Sequence, residues 1–174
     1  MTTETNIETC PMSTPAQPEH EWLQQFIGNW TWESECTMGP GQPPIKSSGT
    51  ERVRSLGGLW IVAEGQGGMP DGGSAETILT LGFDPNQGTF VGTFVASMMA
   101  FLWRYENGEL DEAKRSLTLH TTGPSMDPKA KGVLVPYRDV LEIHGDAERV
   151  LGSEARGEDG TWSRFNEIRY RRST

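Results

Sequence analysis

Cysteine is nearly absent. The 174 residues hold only Cys10 and Cys36, with no Cys-x-x-Cys pair. Two isolated thiols build no disulfide framework, which suits a reducing compartment and points to the cytoplasm. The stretch from Met1 to Asn6 has neither a basic region nor an apolar one, so no secretory signal is expected. Long apolar runs are missing too. The longest, Phe90 to Trp103, is broken by Gly92, Thr93 and Ser97 and falls short of the roughly 20 residues a membrane helix needs. Positive charge is scarce as well. The net charge of −9 repels phosphate backbones and anionic bilayers, so neither nucleic acid nor membrane is an expected partner. The one basic group near the C-terminus, Arg169, Arg171 and Arg172, reads as a solvated strand end.

Motifs that carry well-known chemistry are also lacking. There is no Gly-x-Ser-x-Gly elbow and no phosphate-cradling glycine loop; the segment from Gly65 to Pro70 fails at its last position. His20, His120 and His144 are far apart, which removes the usual zinc spacings. The segment Asp71 to Glu76 lacks the alternating oxygen ligands of a calcium loop.

What the chain does have is punctuation. Its 21 glycines and 11 prolines are spread along its length, as expected of turns between many short strands. Residues 1–17, rich in Thr, Pro and Glu, offer little to bury and read as a disordered tail. One domain, residues 18–174, should follow. It opens on a short amphipathic helix: Pro18 and two glutamates favour its start, Trp22, Leu23, Phe26 and Ile27 share a face, and Gly28 stops it. From Trp30 the period switches to two, with Trp30, Trp32, Ser34, Cys36 and Met38 on one face.

After a loop over Gly39–Pro44, strands are predicted over Ser48–Leu56, Leu59–Gly67, Ala75–Asp84, Thr89–Ser97, Phe101–Glu106 and Arg115–Thr122. A turn falls near Met98–Met99 and a loop over Gly123–Val135. The last three strands are Tyr137–His144, Arg149–Gly157 and Thr161–Arg171. With about ten strands and hairpin-length connections, each strand should pair with the next. Closing that meander removes its two exposed edges. The predicted fold is therefore all-β: an antiparallel up-and-down barrel with a ligand-sized interior and a short N-terminal helix capping one end. A two-sheet sandwich is the alternative.

The segment Phe26-Ile27-Gly28-Asn29-Trp30 resembles the opening of the calycins, a helix followed by Gly-x-Trp. The resemblance implies that Trp30 sits in a closed barrel floor beneath an arginine of the final strand, Arg169 or Arg171. A longer likeness runs through Gly49–Trp60, Val62–Gly65, Leu81–Pro85, Phe90–Phe94, Ser97–Met99, Tyr137–Val140 and Asp159–Trp162. In these the chain resembles the bacterial family known as domain of unknown function 1579, which implies no activity and transfers no catalytic residue.

Polar residues within apolar strands are the remaining site candidates. Glu64 shares a face with Trp60 and Val62. If that face points inward, its carboxylate needs a ligand or an arginine, and a salt bridge to Arg52 or Arg54 across the hairpin is the structural alternative. Asp139 shares its face with Tyr137, Leu141 and Ile143. It is either a perturbed functional carboxyl or half of a buried ion pair with Arg104 or Arg164. His120, between Thr118 and Thr122, is the one residue that could ligate haem, as a single histidine does in the calycin-like nitrobindins; a hydrogen-bonded strand histidine outweighs that reading, and no cofactor is predicted. Trp60, Phe94, Trp103, Tyr105 and Tyr137, with Met98 and Met99, could line an apolar pocket or simply pack.

The predicted ligand-binding set is Trp60, Glu64, Trp103, Tyr137 and Asp139, for a small apolar or amphipathic molecule held inside the barrel. Two alternatives stand beside it: an enzyme using the same carboxylates as general acid or base, and a structural homo-oligomer with a filled core. Apolar residues on both faces of Phe101–Tyr105 point to a covered exterior, with a homodimer as the candidate assembly. Ligand, reaction and oligomer number are not readable here.

Overall fold

The computed structural model describes residues 13–37 and 41–173. The expectations for residues 1–12 of the tail, including Cys10, for Met38, and for Gly39 and Pro40 of the first loop lie outside the described residues. The rest forms a helix α1 (Pro18–Leu23) running into a 3-10 turn (Gln24–Phe26), then ten strands. These are β1 (Gly28–Cys36), β2 (Ile45–Leu56), β3 (Trp60–Gly68), β4 (Ser74–Asp84), β5 (Thr89–Ala96), β6 (Trp103–Leu110), β7 (Ser116–Pro124), β8 (Leu134–Ile143), β9 (Glu148–Arg156) and β10 (Trp162–Arg172). Each strand pairs antiparallel with the next, and β10 closes the barrel on β1 in a register that sets Trp30 against Arg172. A sandwich is thereby excluded. No helix among the described residues is long and apolar enough to cross a membrane.

The helix plugs one pole. Leu23 and Phe26 are fully buried, and burying each contributes about 1.5–3 kcal/mol. Polar contacts orient the plug: Gln24 Nε2 donates to the Gly58 carbonyl at 3.3 Å and Trp22 Nε1 to that of Lys114 at 2.8 Å. His20, in the first turn, is buried; its Nδ1 accepts from the Gln17 amide at 2.9 Å while Nε2 reaches the Phe83 carbonyl at 3.1 Å. Beneath the plug, Trp30, Ile61, Leu81, Leu117, Leu119 and Leu141 pack without accessible surface to speak of.

The arginine implied over Trp30 is Arg172, neither Arg169 nor Arg171. Both of those face outward and pair with acids on the outer wall: Arg169 with Glu167, Arg171 with Glu33. The Arg172 guanidinium lies 4.3 Å from the Trp30 ring centre, and its nitrogens donate to the carbonyls of Ile27 at 2.6 Å and Gln25 at 2.9 Å. Gly28 makes that approach possible. It holds φ +139, and a Cβ there would sit 2.4 Å from Arg172 Nη1.

Candidate functional site

Ladder partners share a face, so the registers decide which side chains point inward. Ile61, Ala63 and Gly65 alternate to the inside of β3, which leaves Trp60, Val62 and Glu64 outside. The expectation that the Trp60–Glu64 face points inward is corrected. Glu64 is exposed, 4.0 Å from Arg54 across the hairpin, which is one of the two salt bridges expected for it. Trp60 borders a shallow outer groove of about 480 Å³ shared with Thr93, Arg104 and Asn107. The reason for the miss is physical: both faces of β3 are apolar near its start, so hydrophobicity alone cannot choose between them.

The other three candidates do point inward and come together in the half of the barrel away from the helix. Tyr137 packs edge-on against Trp103 at 5.1 Å and against Phe165 at 6.0 Å, and its hydroxyl donates to the Pro124 carbonyl at 2.8 Å. Phe101 continues this set, 5.5 Å from Trp103. It precedes β6 rather than opening it, and its neighbour Leu102 is 43% exposed, so the expected two-sided burial of that segment holds on one side only. Asp139 lies two residues along β8 from Tyr137. It accepts a hydrogen bond from the Tyr105 hydroxyl and another from Ser153, its register partner on β9.

Asp139 has no cation beside it among the described residues. Arg164, an expected partner, is spent on Glu142, Glu154 and Glu167 outside the wall, and Arg104 sits on the outer face of β6. Burial pushes the Asp139 carboxyl above its ordinary value, and the Ser153 and Tyr105 hydrogen bonds only partly offset this. Burial, then the adjacent Asp139, push the Tyr105 phenol well up as well. Neighbouring Tyr170 is raised too, chiefly by burial. Protein surrounds Asp139, yet Asp139, Ser153, Thr121 and Phe94 each keep some accessible surface, unlike the inward residues under the plug. Away from the helix, Asp139, Tyr105 and Ser153 therefore line a less completely buried half of the barrel, its hollow half, with the rings of Trp103 and Tyr137 beside them.

The wall of this hollow is imperfect. The β6–β7 ladder pairs Leu110 with Leu117, Glu109 with Thr118 and Glu106 with His120, then stops; Trp103, Arg104 and Tyr105 have no partners on β7. At that seam lies a cleft of about 780 Å³ bordered by Arg104, Glu106, His120, Arg156 and Trp162 of the outer face, and by Thr121 and Tyr137 of the inner one. The Thr121 hydroxyl is buried and without a hydrogen-bond partner. His120 faces outward, with its ring 6.4 Å from Trp162, so it puts no iron ligand in the hollow. Among the described residues no three His, Cys, Asp or Glu side chains converge as a metal site.

Sequence reasoning did not find the Tyr105–Asp139 contact, Ser153, Thr121 or the pair Arg104 and Arg156. Period-two alternation carried part of the signal, since Trp103 and Tyr105 share a face, but it cannot say which strands meet across a barrel.

Comparison with known proteins gives the chain a family and a fold. Residues 15–172 match the family model described as "Protein of unknown function (DUF1579)". No curated protein matches the sequence. Among solved structures, Rv2717c from M. tuberculosis superposes with a TM-score of 0.58 at 11% identity, covering 92% of this chain and 100% of that one. The S-type phycobiliprotein lyase CPES from Guillardia theta gives 0.56 at 11% identity, covering 88% and 92%. At such identities the likeness concerns the barrel alone.

Proposed function

Because the chain belongs to the DUF1579 family, whose description names no activity, we propose its role from the barrel itself: it binds a small apolar or amphipathic molecule in the hollow half. Trp103 and Tyr137 are the apolar walls and Asp139 orients the polar group of the ligand. The observation that supports this reading is Asp139, a carboxyl inside the barrel that has no cation beside it among the described residues, in a residue that keeps some accessible surface. A stably folded barrel has no need of such a group, whose burial is costly. With only two cysteines and no CxxC pair, the reading places the protein in the cytoplasm. Association into a homodimer belongs to the same proposal, supported by Ile78 and Val95, exposed register partners on the outer wall.

The test is a calorimetric titration with 2-naphthol, an uncharged apolar probe. Wild-type protein is expected to bind it and Ser153→Trp, which fills the hollow, to lose it. Failure of the wild type to bind sinks the reading. Native mass spectrometry of the same samples reads co-purified ligand and the mass of the assembly together. A second reading, that Asp139 acts as a general acid, is favoured by its raised pKa. It predicts that a co-purified compound is converted by wild type and left intact by Asp139→Asn; an unchanged compound in both rejects it.

A further inference from the structure

Wall strands of a closed barrel normally separate inner from outer side chains. The β6–β7 cleft mixes them: Thr121 and Tyr137, on the inner faces of β7 and β8, border the same space as Arg104, His120, Arg156 and Trp162 on the outer face. The mixing occurs where β6 has left its ladder with β7. The cleft therefore reaches side chains of the inner face, Thr121 and Tyr137, beside the aromatic rim. Its unpartnered Thr121 hydroxyl is a hydrogen-bonding group that the fold itself leaves unused.

The outer mouth carries more positive than negative charge in a molecule of net charge −9. Such a chain has acids to spare, and Arg54, Arg138, Arg164, Arg169 and Arg171 of the outer wall are ion-paired, whereas Arg52 has no such partner among the described residues. Arg104 and Arg156 have no ion-pair partner among the described residues; Arg156 makes only a 3.4 Å hydrogen bond to the Gly160 carbonyl. Both line the same cleft, with His120 between them. The one acid there is Glu106, the register partner of His120. Beside it Asn107 holds φ +55, a left-handed conformation placed where the ladder slips. The apolar lining of the mouth includes three rings, Phe101, Tyr137 and Trp162, beside Leu102 and Pro136, and rings suit a flat body.

We propose that the seam between β6 and β7 is a lateral portal for a small aromatic anion, whose ring enters against Tyr137 and Trp103 while its carboxylate stays at the outer mouth on Arg104 and Arg156. This rests on the hollow being a binding site and adds the class of ligand and its route, the carboxylate at the mouth being distinct from the polar group that Asp139 orients inside. Arginine suits the role because its planar donors pair with a carboxylate and stack on rings. The seam is where a ring can enter because the ladder with β7 stops at Glu106, short of Trp103, Arg104 and Tyr105.

Calorimetry with 2-naphthoate, 2-naphthol and acetate separates the parts. Wild type is expected to bind naphthoate at least tenfold more tightly than naphthol, with the margin shrinking as salt is raised, and to ignore acetate. Arg104→Gln/Arg156→Gln should erase that margin and leave naphthol binding unchanged, while Glu106→Gln should widen it. All these residues are exposed, so melting temperatures should stay close to wild type. Naphthoate binding that survives the double substitution undiminished overturns the portal and leaves the hollow standing. Failure of the hollow has its own mark: wild type would then take neither naphthol nor naphthoate, and the portal falls with it.

Discussion

Asp139 is the residue whose chemistry departs furthest from what a strand requires. Its carboxyl is raised by burial, so between the ordinary value and the raised one the folded protein holds a proton that the unfolded chain releases. Stability from this group is fully present below the unfolded value and is lost as pH rises through the folded one. Asp139→Asn keeps an acceptor for Tyr105 and removes the titration. It should flatten the fall in melting temperature as pH rises above the ordinary carboxyl range and melt higher than wild type once the wild-type carboxyl has ionised; an unchanged slope would place the pH dependence elsewhere. Alternation made Asp139 legible, because its face is apolar at Tyr137, Leu141 and Ile143 while the opposite face carries Arg138 and Glu142. Glu64 was not legible in the same way. Small inward residues, Ala63 and Gly65, stand beside bulky outward ones, Trp60 and Val62, and size is no guide to side.

At the scale of elements, β6 is the strand that departs from the pattern. The turn expected near Met98–Met99 is present at Ser97–Met98, yet pairing resumes only at Trp103 and then serves β5 alone for three residues. The Trp103 ring lies across β7 where Gly123 leaves room, and a Cβ at Gly123 would fall 2.3 Å from the ring. Gly123→Val should cost about 1–3 kcal/mol by overpacking and displace Trp103 from Tyr137, to be read by urea unfolding and by near-UV circular dichroism. A cost near zero would show that the ring is free to move. Glycine and proline spacing made the ten strands readable to within a few residues of their ends. The predicted loop over Gly123–Val135 is shorter than expected, since β7 runs to Pro124 and β8 starts at Leu134. Pro124 and Pro136 mark turns in a sequence but are tolerated at strand ends and edges: Pro124 ends β7, and Pro136 precedes the start of the β8–β9 ladder at Tyr137.

For the whole molecule, closure rests on β1 and β10, and a buried ion pair spans them from the inside. Arg149 of β9 bonds Glu51 of β2, while its guanidinium lies 4.7 Å from the Trp30 ring and 3.9 Å from that of Tyr170. Both charges are almost wholly out of water. Removing one leaves the other stranded, so Glu51→Ala should cost about 3–5 kcal/mol, whereas Glu51→Leu/Arg149→Met should recover most of it. Chemical unfolding of the two variants decides; equal losses would make the pair a stabiliser in its own right. Nothing local announces a contact between residues 98 positions apart, which is why the barrel was readable from its period and its inner charges were not.

The plug has a practical corollary. Pro18 enters at the helix, and the Ser173 amide bonds the Asn29 carbonyl, so both ends of the described barrel leave by the pole opposite the aromatic rim. A tag, surface tether or fused reporter attached at either end would hold the molecule by its base, leaving its mouth and flank facing the solution.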